Sequence, residues 1–143
     1  MRHFGHVSYY RPGDVLASRL ELSRAGLHRP TRAGISGSSQ QGADSIVLAD
    51  QYEDDVFGEE EIIYAGHGGR DPKTGRQTTD QDLNDRNRAL LRSQETGLPV
   101  RVLRKVPEGY RYEGLYRVVG SSYEPGRSGF RVWLFRLVPV VAH

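Results

Sequence analysis

Cysteine is absent from this chain of 143 residues, and methionine and tryptophan occur once each. The lack of cysteine excludes disulfide bonds and thiolate metal sites. No apolar run approaches the ~20 residues that a membrane-spanning helix needs, and the first residues lack the apolar core of a secretory signal. The sequence therefore predicts an intracellular protein with no membrane partner, forming a single domain over residues 1–143.

Lysine is nearly absent too, because only Lys73 and Lys105 are lysines among the 20 basic residues. Arginine offers a planar fork that suits phosphates and base edges, but GC-rich coding produces the same bias, and we give the coding explanation more weight. The net charge of +2 is close to balanced. Charge alone therefore does not indicate a nucleic-acid partner.

Recognisable catalytic patterns are also missing. The five histidines show no metal-binding spacing of the His-Glu-x-x-His kind, and the glycines at 66–69 are not followed by the lysine of a phosphate loop. No nucleophile elbow occurs. We therefore predict a binding domain and not an enzyme, with no catalytic residues, no metal site and no cofactor.

Seventeen glycines and seven prolines indicate many turns and hence a strand-rich fold. Apolar patterning predicts strands over 14–24, 45–49, 62–65, 100–103, 110–119 and 130–138. Residues 25–43 are predicted to form a long ordered loop. One helix is predicted within 80–96, with Thr79 and Asp82 as a capping box and with Gly97 and Pro99 at its end. The fold class is α+β, mostly strand, with a curved or barrel-like sheet and flanking helices.

A row of tyrosines and an acidic run flanked by tyrosines are each open to a structural or a functional interpretation. Tyr110, Tyr112 and Tyr116 share one face at strand spacing, and we interpret them as sheet-face or core residues. Residues 53–61 carry six carboxylates in nine positions, which fits a solvated acidic loop or an adventitious hard-cation site. However, Tyr52 and Tyr64 bracket this acidic run. Two aromatic faces and a carboxylate are also what a planar base requires.

Several short segments recur together in the order of one known family. They are Phe4–His6, Gly26–Pro30, Ala33–Gly37, Ser45–Ala49, Tyr52–Asp55, Tyr64–Asp71, Asp80–Gln81, Asn87–Leu90, Pro99–Val102, Tyr112–Gly114 and Gly126–Phe130. In this order and spacing the chain resembles the SRA (SET- and RING-associated, or YDG) family over nearly its whole length. Its arginine content and short loops resemble the bacterial type.

The resemblance implies a PUA-like twisted crescent that flips 5-methylcytosine or a related base out of duplex DNA. At the matching positions, Asp55 accepts a hydrogen bond from the cytosine 4-amino group, and Tyr52 and Tyr64 stack on the two faces of the ring. The surrounding pocket wall comprises Ala49, Asp50, Gln51, Ala65, Gly66 and His67. A carboxylate opposite the amine would reject thymine, whose O4 is an acceptor.

The family also uses the loop near 31–38 as a thumb that fills the vacated position in the duplex. Arg32 stands where a small apolar residue is common, so it could stack in the gap, bond the orphan guanine or contact phosphate. The expected backbone contacts, all predicted to lie on loops, are Arg29, Ser36, Ser38, Arg70, Lys73 and Arg76.

Four departures from the family pattern bear on specificity. Asp50-Gln51 replaces a glycine pair, Ala65 replaces a frequent threonine, and His67 replaces a small residue beside the 5-substituent. The loop 70–79 is also shorter than in animal chromatin readers. The family match implies the reader domain of a modification-dependent restriction endonuclease, in which a nuclease domain would share the full-length chain. The alternatives are a chromatin methylcytosine reader, and an acidic-loop domain that binds a metal or a protein. The expected location is the bacterial cytoplasm at the nucleoid, or the nucleus of a eukaryote.

Overall fold

The computed structural model describes residues 2–7, 9–49 and 53–140. Within these ranges there are two helices, α1 (Arg19–Ala25) and α2 (Asp85–Thr96). The strands are β1 (Val15–Leu16), β2 (Ile35–Ser38), β3 (Gly42–Leu48), β4 (Val56–Phe57), β5 (Ile62–Ala65), β6 (Val100–Val106), β7 (Gly109–Pro125) and β8 (Arg131–Pro139). In the described part of the chain, neither helix is long and apolar enough to cross a membrane.

The strands form one open mixed sheet in the order β2-β3-β6-β7-β8-β5-β4, with β1 paired to β7. Only the β3–β6 pair is parallel among the described strands. The long β7 pairs with β1, β6 and β8 in turn, and its register shifts at two bulges. Bulges increase local twist and bend a sheet, so the predicted α+β class with a curved sheet is confirmed.

Each face of the sheet has its own hydrophobic core. Ile46 and Leu48 of β3 point into the larger core, which α2 covers with Ala89 and Leu90. Val47, between them, points into a smaller core on the other face, together with residues of α1. Because both faces are covered, all seven residues of β3 are buried.

The prediction of a strand over 14–24 is wrong beyond Leu16, because helix α1 begins at Arg19. The Ser18 side chain accepts a hydrogen bond from the Glu21 N–H, and the Glu21 carboxylate accepts one from the Ala17 N–H at 2.8 Å. These reciprocal bonds satisfy amides that a helix start leaves free. Gly26 ends the helix in the left-handed conformation with φ 77°. The capping hydrogen bonds therefore favour a helix here, despite the alternation of apolar and polar residues that suggested a strand.

Two further boundaries differ from the prediction. The segment 25–43 is not entirely loop, since it contains β2 and the first residues of β3. The predicted helix exists, but it begins at Asp85, because Asn84 caps it by accepting from the Asn87 N–H at 3.0 Å. The proposed capping box is wrong, because residues 80–84 are not helical. Gly97 does end the helix, as predicted.

The tyrosines of β7 are structural, but they do not all share one face. Tyr112 pairs with Leu103 and packs in the smaller core, whereas Tyr116 pairs with Val100 and packs in the larger one. The register of the β6–β7 pair shifts between these positions, which adds one residue to β7. One extra residue reverses the face on which every later side chain lies.

A buried arginine joins the N-terminal segment to the sheet. Arg101 is only 1% exposed and lies within 3.7 Å of the Asp44 carboxylate, which also pairs with Arg2. Its guanidinium donates to four main-chain carbonyl oxygens, those of His3 (2.8 Å), Gly5 (2.9 Å), Leu27 (2.9 Å) and Gly26 (3.4 Å). Arg101 therefore holds the N-terminal segment at residues 3–5, and the residues that follow α1, against β6.

Candidate nucleic-acid interface

Asp55 lies immediately before β4, at the edge of the sheet. Val56 pairs with Ile63 in the antiparallel β4–β5 hairpin, so Asp55 lies across from Tyr64. Its Oδ1 accepts a hydrogen bond from the Ala65 N–H at 2.8 Å. A main-chain donor thus fixes the orientation of this carboxylate, and the side chain is half-buried.

The predicted aromatic partner Tyr64 is buried within the fold. Its ring is 3% exposed and packs in the larger core, and its hydroxyl donates to the Gly34 carbonyl at 3.2 Å. Tyr64 thereby joins the Asp55 hairpin to the predicted thumb loop. Of the other predicted pocket residues, Ala49 follows β3 and is half-buried. Tyr52, Asp50 and Gln51 lie outside the described residues.

Two buried amide side chains hold the main chain of the predicted pocket wall at 66–67. Gln81 donates to the Gly66 carbonyl at 2.8 Å. Asn87 accepts from the His67 N–H at 2.7 Å and donates to the His67 carbonyl at 3.1 Å. A Cβ at position 66 would collide with Asn87 Oδ1, so this approach requires glycine. The sequence analysis missed Gln81 and Asn87 as pocket supports, because amides in a polar segment are usually solvated.

The side chain of His67 is exposed to solvent. Protein atoms beside the ring still displace part of its water, and this desolvation is the largest cause of a lowered pKa of the His67 imidazole. The positive charges of Arg86 and Arg70 lower the pKa further. The ring is therefore neutral at pH 7, and one nitrogen can donate while the other accepts.

The predicted thumb loop is held by two residues that the sequence analysis did not select. The Arg19 guanidinium donates to the carbonyl oxygens of Pro30 at 2.9 Å and Ala33 at 2.6 Å. His28 is fully buried between Ala33 O, 2.8 Å from Nε2, and Ser45 Oγ, 2.7 Å from Nδ1. Arg32 itself is exposed. The loop is thus anchored at its base while the Arg32 side chain faces solvent.

The residues predicted to contact the DNA backbone occupy different environments in the fold. Arg29, Lys73 and Arg76 are exposed, as a phosphate contact requires. Arg70 is half-buried and donates to the Ala65 carbonyl at 3.3 Å. The prediction that Ser36 and Ser38 lie on loops is wrong, because both are in β2. Ser36 is only 5% exposed, and Ser38 accepts from the Gln41 N–H at 3.0 Å.

The acidic run does not form a metal site among the residues that the structure describes. Glu53, Asp54 and Asp55 instead accept hydrogen bonds from the main chain of three different segments. Glu61 forms an ion pair with Arg136 at 2.5 Å. The hard-cation interpretation of this run therefore has no support in the described part of the chain.

Burial of His28 predicts a dependence of stability on pH. Desolvation lowers the pKa of His28 to about 4, from 6.5 for the ordinary side chain, and the hydrogen bond to Ala33 only partly opposes this. Between pH 6.5 and 4 the unfolded chain binds a proton that the native protein excludes, so stability falls as the pH falls through this window. The expected loss is about 3 kcal/mol of unfolding free energy at pH 4 relative to pH 7.

Denaturant unfolding at several pH values measures this loss. The variant His28→Gln lacks the titrating ring, so its unfolding free energy should fall less steeply between pH 6.5 and 4. Equal slopes for the two proteins would show that His28 is not excluded from protonation in the native state.

The geometry can now be compared with known proteins. Residues 3–141 match the family model described as the SAD/SRA domain. This chain belongs to the SAD/SRA family. The family resemblance inferred from the sequence is therefore confirmed.

Curated proteins similar to this SRA domain include a ubiquitin-protein ligase and a member of a histone-lysine N-methyltransferase family. E3 ubiquitin-protein ligase UHRF1 from Bos taurus is 41% identical over 164 aligned positions, which cover 94% of this chain and 21% of that protein. The histone-lysine N-methyltransferase family member SUVH2 from Arabidopsis thaliana is 37% identical and covers 95% of this chain. The SRA chain thus spans about a fifth of the length of these curated relatives.

Solved structures support the same assignment. The modification-dependent TagI restriction endonuclease superimposes with a TM-score of 0.92 and 44% identity, covering 99% of this chain and 54% of that one. The SUVH5 SRA bound to fully hydroxymethylated CG DNA superimposes with a TM-score of 0.88 and 34% identity. That match covers 99% of this chain and 96% of the SUVH5 chain. The predicted PUA-like architecture is therefore confirmed for this SRA domain.

Proposed function

We propose that this domain binds duplex DNA containing 5-methylcytosine or 5-hydroxymethylcytosine and holds the modified base outside the helix. The observation that carries the proposal is the Asp55 carboxylate, fixed by the Ala65 N–H at 2.8 Å beside Tyr64 in an SRA fold. The similarity to an SRA domain solved with hydroxymethylated CG DNA supports it. The domain itself carries out no chemistry in this proposal.

Asp55 supplies the discrimination between pyrimidines. Carboxylate oxygens offer several acceptor sites, so Asp55 can accept from the 4-amino group of cytosine while it also accepts from Ala65. Thymine presents an acceptor, O4, at the same place and is repelled. Stacking on Tyr64 and Tyr52, at ~1–3 kcal/mol per base, offsets the few kcal/mol that unstacking costs. Because Tyr64 is only 3% exposed, the base must displace the groups that cover its ring. The pocket wall is completed by Ala49, Asp50, Gln51, Ala65, Gly66 and His67.

The DNA backbone lies against the exposed cations around this pocket. Arg29, Lys73 and Arg76 contact phosphates, with Arg70, Ser36 and Ser38 at the margin of the same surface. Arg32 enters the duplex, or contacts phosphate, from a loop that Arg19 and His28 hold at its base.

The full-length protein is most simply a modification-dependent restriction endonuclease in which a nuclease domain accompanies this reader. The similarity to TagI, at 44% identity and a TM-score of 0.92, supports this proposal. A chromatin reader is the second candidate, supported by 41% identity to UHRF1. That alignment runs over 164 positions, more than the 143 residues of this chain, so UHRF1 carries insertions that this domain lacks. The protein acts at the bacterial nucleoid in the first case and in the nucleus in the second.

A panel of otherwise identical duplexes tests the proposed function. Each carries cytosine, 5-methylcytosine or 5-hydroxymethylcytosine at one position, next to a fluorescent base analogue that reports unstacking. We expect tighter binding and increased fluorescence with at least one modified duplex. Equal affinity for all three at physiological salt would refute modified-base recognition and leave only phosphate binding.

His67 offers a test of the preference between the two modifications. Its neutral imidazole lies on the segment proposed to face the 5-substituent, where it could hydrogen-bond a hydroxymethyl group but not a methyl group. We expect His67→Ser to lower affinity for 5-hydroxymethylcytosine several-fold more than for 5-methylcytosine, because one hydrogen bond contributes about 1 kcal/mol. Competition binding measures the ratio of the two affinities. An unchanged ratio would mean that the ring faces solvent or phosphate.

A further inference from the structure

We propose that the turn between β7 and β8, residues 126–130, is a positioning element for the base-recognition segment. It would determine how well the domain distinguishes modified from unmodified cytosine. The inference rests on the proposed function, because it concerns the same pocket. It assigns a role to Gly126 and Ser128, which lie about seventy residues from Asp55 in the sequence and on a different hairpin.

The first contact joins the turn to the residue next to Asp55. The Arg127 N–H donates to Asp54 Oδ1 at 2.9 Å. The turn that presents this N–H is closed by its own main-chain bonds, Gly126 N–H to Phe130 O at 2.8 Å and Gly129 N–H to Gly126 O at 3.0 Å. A rigid donor therefore fixes Asp54, and through Asp54 the main chain that leads into Asp55.

The second contact fixes the preceding residue. Ser128 Oγ donates to Glu53 Oε1 at 2.5 Å, and the Gln77 N–H donates to the same oxygen at 3.3 Å. The hydrogen bond from Ser128 is the largest cause of a lowered pKa of the Glu53 carboxyl group. Glu53 is thus held as a carboxylate between the β7–β8 turn and the 70–77 loop.

The third observation is steric. A Cβ at position 126 would lie 2.5 Å from Asp54 Oδ2 and 2.9 Å from Asp54 Cγ. The backbone φ of Gly126 lies outside the left-handed region, so alanine is conformationally allowed there. An alanine at this position would therefore displace the Asp54 carboxylate, although the turn itself would accept it.

Together these contacts give three consecutive carboxylates three separate anchors. Glu53 and Asp54 bind the β7–β8 turn, and Asp55 binds the Ala65 N–H of β5. A carboxylate that accepts from a base amine must be placed to within a fraction of an ångström. Glu53 and Asp54 therefore keep the Asp55 carboxylate in position, and the β7–β8 turn supplies the donors that hold them.

Two pairs of variants test this role. Gly126→Ala pushes on Asp54, and its matched control is Gly120→Ala, where a Cβ would meet only Arg136 Cβ at an ordinary 3.8 Å. Ser128→Ala removes the Glu53 contact, with the exposed Ser121→Ala of β7 as its control. Ser128→Thr retains the hydroxyl and should restore wild-type behaviour. Thermal unfolding shows whether each variant is folded. If Gly126→Ala does not fold, Ser128→Ala alone tests the positioning role of the turn.

The measured quantity is the ratio of Kd for an unmodified duplex to Kd for a 5-methylcytosine duplex of the same sequence. We expect Gly126→Ala to lower this ratio about tenfold and Ser128→Ala about threefold, with the controls and Ser128→Thr unchanged. A wild-type ratio that persists in both variants would overturn the inference. So would an equal loss of affinity for both duplexes, since that indicates a DNA contact or a general structural role.

A second measurement without DNA separates failure of this inference from failure of the proposed function. The exchange rate of the Ala65 amide, followed by NMR, reports whether Asp55 remains bonded to it. Faster exchange in Gly126→Ala and Ser128→Ala, but not in the controls, supports positioning even if the wild-type protein shows no preference for modified DNA. That absence of preference would overturn the proposed function alone. Unchanged exchange in both variants would overturn the positioning role alone.

Discussion

Replacing Asp55 by alanine is expected to weaken binding to a modified-cytosine duplex by about 1–3 kcal/mol, or roughly 5- to 150-fold. The variant loses the acceptor for the 4-amino group and leaves the Ala65 N–H without its 2.8 Å partner. Binding to unmodified DNA at low salt should persist, because that affinity comes from arginine and lysine on phosphates. Titration of the same duplex with and without the modification measures the difference.

Two further variants isolate the role of the Asp55 carboxylate. Asp55→Asn can still accept from Ala65 with its amide oxygen, but its amide nitrogen would place a donor opposite the cytosine amine. We therefore expect Asn to lose discrimination as Ala does while keeping the hairpin intact. Glu60→Ala removes an exposed acid of the same run and should change neither affinity by more than about twofold. A loss of equal size on modified and unmodified DNA for Asp55→Ala would contradict the assignment.

Replacing Arg101 by methionine is expected to lower the unfolding free energy by about 3–5 kcal/mol. Methionine fills much of the space but leaves the buried Asp44 carboxylate with Arg2 as its one remaining ion-pair partner among the described residues. It also leaves four carbonyl oxygens without their guanidinium donor. Denaturant unfolding measures the loss, and a change below about 1 kcal/mol would contradict the structural role.

The controls for Arg101 come from the same sheet. Arg117 lies exposed on β7, and Arg117→Met should cost less than about 0.5 kcal/mol. The double variant Arg101→Met with Asp44→Asn removes both buried charges of this pair, so it should be more stable than the sum of the single losses predicts. Strict additivity would show that the two side chains do not interact in the native state.

The strands that were predicted correctly carry their own apolar pattern. Residues 45–48 of the predicted run 45–49 are buried in β3, and the predicted segment 62–65 is β5, which is mostly buried. Both stretches are mainly apolar. The segment at 14–24 was mistaken for a strand because Val15, Leu20 and Leu22 alternate with polar residues. What decides this segment is local hydrogen bonding by Ser18 and Glu21, which overrides a weak pattern.

The residues that support the proposed site were harder to predict than those in it. Asp55 and Tyr64 were selected because a known family has the same motif there. Gln81, Asn87 and His28 also lie in segments that match the family, but the match assigned them no role. All three are buried, and each bonds main-chain atoms near the predicted pocket or thumb. Burial of a polar side chain depends on which distant segments enclose it, and no local spacing encodes that.

The two edges of the sheet bear on how this domain behaves at high concentration. At one edge, β4 has only two residues and is followed by the charged Glu59, Glu60 and Glu61. At the other edge, β2 has four residues, and its pairing with β3 shifts register between Ser36 and Gly37. Short, charged or bulged edges offer few main-chain groups for another chain to pair with, and so discourage aggregation. The domain should therefore stay dispersed during refolding at concentrations where a long, flat edge would seed fibres.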